Sequence, residues 1–85
     1  MATGRVHLDR TPTFDGTRLR AMRRRRKMRV ETLAQRANVT ARHIWRLEAG
    51  KRPNVAAVTL ARIALALQVD LYYLLGLNDE PEPWK

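Results

Sequence analysis

The chain has 85 residues, room for one small core, with 45% apolar residues and 17 Lys and Arg against 8 Asp and Glu, a net charge of +9. It has no Cys and no Ser, which excludes disulfide staples, Cys-based zinc sites and Ser or Cys nucleophiles and suits a reducing, intracellular setting. The longest uncharged run, Pro53 to Ala61, is far short of the about 20 residues that a membrane span needs, and Met1–Arg5 leads into no apolar run, so neither a membrane partner nor a signal peptide is expected.

Residues 1–13 read as a flexible N-terminal arm, with Gly4, Pro12 and several Thr and no hydrophobic period. Asp15 is of the N-cap type, and Phe14 and Leu19 have the spacing of a hydrophobic staple. A first helix is expected over about Gly16–Lys27, with Leu19, Met22, Arg23 and Arg26 on one stripe. Its cations crowd the C-terminal end, where the helix dipole favours them. Val30, Leu33, Ala34 and Ala37 recur at i, i+3, i+4 and i+7 and predict a second helix, closed by Asn38, which tolerates left-handed backbone.

Thr40 is the N-cap of a third helix, about Ala41–Ala49, ended by Gly50. Ile44 and Leu47 face inward, with Glu48 one turn beyond Ile44. Ala41, Arg42, Trp45, Arg46 and Ala49 face outward. Lys51–Asn54 read as a loop, and Asn54 as the cap of a fourth helix over Val55–Leu67. The expected inner stripe of that helix is Ala57, Leu60, Ala61, Ala64 and Leu67, widened by Val58 and Leu65. Asp70 caps a short fifth helix, Leu71–Leu75, closed by Gly76. The core domain is thus expected over 14–76, with 77–85 an acidic, Pro-rich and largely disordered tail.

All the excess charge lies in residues 16–52, where 13 cations face only Glu31 and Glu48. Such a block is the electrostatic footprint of a polyanionic partner. A merely solvated cationic face is the bland alternative. A membrane-surface helix would need an apolar face that the block lacks. The run Arg23–Lys27 also fits a nuclear import pattern, a weak match. His7 and His43 have no metal-ligand spacing, and there is no nucleophile–base pairing or glycine-rich phosphate loop. Neither an enzyme nor a cofactor is therefore expected.

Only Asn38 and Val39 separate the second and third helices. The stretch Leu33-Ala34-x-x-Ala37-Asn38-Val39-Thr40-x-x-x-Ile44-x-x-Leu47-Glu48-x-Gly50 resembles the helix-turn-helix family of phage repressors, Cro proteins and xenobiotic-response-element-type regulators. The likeness extends upstream through Gly16-x-x-Leu19-Arg20-x-Met22-Arg23. Downstream it runs through Leu60-x-x-Ile63-Ala64-x-Ala66-Leu67-x-Val69-x-x-x-x-Leu74-Leu75-Gly76. It implies an all-α, compact five-helix, lambda-repressor-like DNA-binding domain. It further implies a double-stranded DNA operator, a homodimer on it, and the third helix as the recognition helix. Arg23 and Glu48 match positions that form a structural salt bridge in the family. Three positions depart from the pattern: Val30 stands where Gln is usual, Arg29 replaces a Ser or Thr cap, and Asn38 replaces the turn Gly.

On that reading Ala41, Arg42, Trp45 and Arg46 are the candidate base-contacting residues. Arg can bond guanine O6 and N7 bidentately, and Ala offers only a methyl. Trp45 packs on sugar, meets a thymine methyl, or covers the core beside Met28. Candidate phosphate contacts are Arg29, Thr40, His43, Lys51 and Arg52. Arg29 would act by charge, and Thr40 sits at a helix N-terminus. His43 reads equally as a donor and as a flanking surface residue.

Tyr72, Tyr73, Leu77 and Trp84 are the candidate dimer interface, being more large apolar and aromatic side chains than a short terminal helix needs. The expected function is a sequence-specific transcriptional regulator, a repressor of bacterial or phage type, cytoplasmic and nucleoid-associated. The alternatives are an antitoxin that binds a protein partner through the acidic tail, and a sequence-blind nucleic-acid module.

Overall fold

Asp15 turns the chain into its first helix: its carboxylate accepts from the Thr17 amide at 2.9 Å, the geometry of an N-cap. A computed structural model describes residues 6–50 and 54–82. These form five helices, α1 (Gly16–Arg25), α2 (Val30–Ala37), α3 (Ala41–Glu48), α4 (Ala57–Leu67) and α5 (Leu71–Leu74), with no strand among the described residues. The fold is all-α. Helix α2 packs on α3 and α4, α1 packs on α3 and α5, and α5 also meets α4. Leu19, Leu33, Ile44, Leu47, Ile63, Leu67 and Leu74 are fully buried where the five meet. No helix among the described residues is long and apolar enough to cross a membrane.

Several boundaries differ from the sequence expectation. Helix α1 stops at Arg25, because Lys27 takes left-handed backbone (φ 55°) and the Met28 amide returns to the Arg23 carbonyl at 3.1 Å. Helices α3 and α5 each end one residue early, at Glu48 and Leu74. Helix α4 begins at Ala57, with no side-chain cap, so Asn54 is not its N-cap. Its inner face is Leu60, Ile63, Ala64 and Leu67, while Val58 and Leu65 lie outward, Leu65 at 77% exposure. Burying Ile63 rather than Ala61 removes more apolar surface from water, which sets this phase.

The arm and the tail are also corrected where they are described; residues 1–5 and 83–85 lie outside the described residues. Residues 6–13 and 77–82 are packed together as a clasp over the α1–α5 end. The His7 amide donates to the Leu77 carbonyl at 2.7 Å and the Thr13 amide to the Leu75 carbonyl at 2.9 Å. Arg10 bonds the Gly76 carbonyl and the Asp79 carboxylate, which also receives His7 and Arg18. Buried Asn78 donates to Asp70, and the Asp70 amide donates to the Pro81 carbonyl at 2.8 Å. Backbone bonds and ion pairs hold these segments, so their low hydropathy does not leave them loose.

Candidate nucleic-acid interface

The turn between α2 and α3 is built from three residues. Asn38 takes left-handed backbone (φ 59°), and the Val39 amide closes back on the Ala34 carbonyl at 2.9 Å. Val39 is half-buried against the core. Thr40 then opens α3, its hydroxyl accepting from the His43 amide at 3.1 Å. Ile44 and Leu47 anchor the inner face of α3.

The outer face of α3 carries Arg42, Trp45 and Arg46. All three are exposed, Trp45 at 57%, so the indole does not serve to cover the core. Arg42 and Arg46 lie one turn apart and make no ion pair or side-chain hydrogen bond among the described residues. Ala41 and His43 are half-buried at the start of the helix, and Ala41 packs against the core. Arg29 precedes α2 as an exposed cation with no cap bond, while Val30 is buried and cannot replace a polar phosphate anchor. Lys51 and Arg52 lie outside the described residues.

Helix α3 is held at a fixed distance and tilt by α1. Arg23 Nε and Nη2 donate to the two Glu48 oxygens at 2.5 and 3.1 Å, and Nη1 donates to the Met28 carbonyl at 2.9 Å. Both side chains are largely out of solvent, 13% and 8% exposed. About two turns earlier, Gly16 lies against the backbone of α3. A Cβ there would collide with the Leu47 and Glu48 carbonyls.

Two arginines have structural roles that sequence reasoning missed. Arg18 donates to the Tyr73 and Asn78 carbonyls at 2.8 and 2.7 Å and stacks 4.3 Å over the Tyr73 ring. Arg26 donates to the Leu67 and Gln68 carbonyls at the end of α4. Their acceptors are main-chain oxygens, at the ends of α4 and α5 and in the segment after α5, which leave no residue signature. The expected dimer residues are scattered by the same contacts. Leu77 is buried within its own chain and Tyr73 is half-covered by Arg18, which removes Leu77 from any partner surface. Tyr72 is exposed, at 46%, and Trp84 lies outside the described residues. No group of three His, Cys, Asp or Glu placed to hold a metal occurs among the described residues.

Residues 16–71 match the family model described as "Helix-turn-helix domain". No curated protein sequence matches the chain. Among solved structures, the restriction-modification controller protein C.AhdI from Aeromonas hydrophila is 32% identical, with a TM-score of 0.65 over 69% of this chain and 88% of that one. The P22 c2 repressor, solved with a synthetic operator, is 30% identical, with a TM-score of 0.66 over 71% of this chain and 89% of that one. SinR in complex with DNA has a TM-score of 0.67 over 71% of this chain and 95% of that one; at 23% identity it shares the fold. A chain of the SinR–SinI complex aligns equally well, and this chain spans 58% of it.

Proposed function

The chain belongs to the helix-turn-helix family of Cro, phage-repressor and xenobiotic-response-element-type regulators, and from that premise we propose that it is a sequence-specific transcriptional repressor that reads an operator with α3 in the major groove. The observation that carries this reading is the outer face of α3. It holds two exposed guanidiniums one turn apart with no partner among the described residues, on a helix fixed to α1 by Arg23, Glu48 and Gly16. Free arginines at this position suit guanine edges, and phosphate contacts from Arg29, Thr40 and His43, with Lys51 and Arg52, would set the register. The P22 c2 repressor, structurally similar over most of both chains, was solved on an operator.

The same reading takes residues 14–76 as the DNA-binding unit, working as a homodimer on chromosomal DNA in the cytoplasm. We infer a dimer surface on the outer side of α4 and α5, where Val58, Leu65 and Tyr72 are exposed. Selection of bound sequences from a random duplex pool tests the function. A two-fold symmetric consensus is expected. Recovery of unselected sequence would leave a sequence-blind nucleic-acid module as the better description.

A further inference from the structure

The arginines of α1 fall into two groups. Arg18, Arg23 and Arg26 are each spent on carbonyls or a carboxylate of their own chain. Arg25 lies 3.4 Å from Glu82, which also meets Arg26 at 3.5 Å. Arg20 and Arg24 remain. Both are exposed, and neither makes an ion pair or side-chain hydrogen bond among the described residues.

The groups are segregated around the helix. An α-helix turns about 100° per residue. Gly16 and Arg23 meet α3, and Arg18 and Arg25 meet the clasp, on nearly opposite flanks of α1. Arg20 sits about 40–60° round from the α3 seam and Arg24 about 80–100°, on the outward face between that seam and the clasp. The acidic residues Asp79 and Glu82 thus neutralise one flank of α1, and the flank beside α3 stays bare. Like charges at i, i+4 repel, a cost that a bound anion removes.

Resting on the DNA-binding reading, we propose that Arg20 and Arg24 form a second phosphate-contacting track, continuous with the α3 face. Duplex DNA is then gripped by α1 and α3 together and is approached from that side alone. Backbone contacts of this kind position the protein without reading sequence.

The test is a salt titration of the full chain on a selected duplex and on a random-sequence duplex. Each lost phosphate contact lowers the slope of log affinity against log salt by about 0.9. The R20Q/R24Q double variant should therefore lose about two units of slope on both duplexes, with its melting temperature unchanged. R25Q, on the clasp flank, should keep the parental slope. An unchanged slope in the double variant, or an equal loss in R25Q, would overturn the track while leaving the α3 reading intact. A parent chain with no salt-dependent duplex binding would overturn both.

Discussion

Arg23 meets Glu48 with two nitrogens on two oxygens, and its third nitrogen closes on the Met28 carbonyl, so one side chain ties the middle of α1 to the end of α3 and to the lead-in of α2. Removing one partner of a buried pair strands the other, at a cost of about 3–5 kcal/mol. Glu48→Ala should lower the melting temperature far more than Glu31→Ala, since Glu31 is exposed and unpaired among the described residues. Equal, small shifts in the two variants would contradict this role.

Gly16→Ala should be destabilising although Ala is the better helix former. The propensity gain is about 1 kcal/mol at most. The added methyl meets backbone oxygens of Leu47 and Glu48, which cannot rotate away, and overpacking of this kind costs about 1–3 kcal/mol or more. Denaturant unfolding decides which effect wins. A stability at or above the parent would show that α1 and α3 can separate freely.

Arg42→Ala should weaken binding to the selected operator by about 1–3 kcal/mol and relax the preference at one position of each half-site. Arg29→Ala should weaken all duplexes alike. Binding assays on the operator and its single-base variants separate the two. Uniform loss in Arg42→Ala would move base reading off this residue.

Leu65→Glu should leave the fold intact, because Leu65 is exposed, and should abolish self-association. Sedimentation of the free protein and of its operator complex measures this. A variant that still places two copies on the operator would locate the dimer surface elsewhere.

Acid should open the clasp before it opens the core. The Asp79 carboxyl is held below its ordinary value chiefly by the Arg10 hydrogen bond, with further help from the charges of Arg10, His7 and Arg18. Thr17 holds Asp15 down in the same way. A carboxyl lowered on folding stabilises the fold fully above its ordinary range, and that contribution fades as pH falls through the lowered folded value. Amide protection at His7 and Thr13 should therefore fall at pH below the usual aspartate range, while Leu47 and Ile63 stay protected. Asp79→Asn should show the same loss near neutrality. Joint loss of all four amides would mean that the clasp has no independent opening.

Much of this architecture is written in local chemistry. Asn38, Thr40 and the Val30–Ala37 period mark the turn and its two helices, because capping and left-handed backbone depend on neighbouring residues. The Arg23–Glu48 pairing, by contrast, came from family resemblance, and the structure brings the two side chains together. The start of α4 was illegible: Asn54 has the chemistry of a cap, but Ala56 holds that place without one. The clasp was illegible for another reason. Asn78, Asp79 and Pro81 look like solvated tail, and their partners, at His7, Arg10 and Asp70, are fixed only once the helices have packed.

Arg10 reaches Gly76 and Asp79 across 66 and 69 positions of chain, whereas α2 and α3 find each other across a turn. Closing the longer loop loses more chain entropy before any contact rewards it. The helix-turn-helix should therefore condense early in folding, and the two outer segments should join after the rate-limiting step. Substitutions at Arg10 or Asp79 should then leave the refolding limb of a chevron in place and raise the unfolding limb. The segments that lie farthest from α3 in sequence thereby govern how long the native state persists, and the turn governs how fast it is reached.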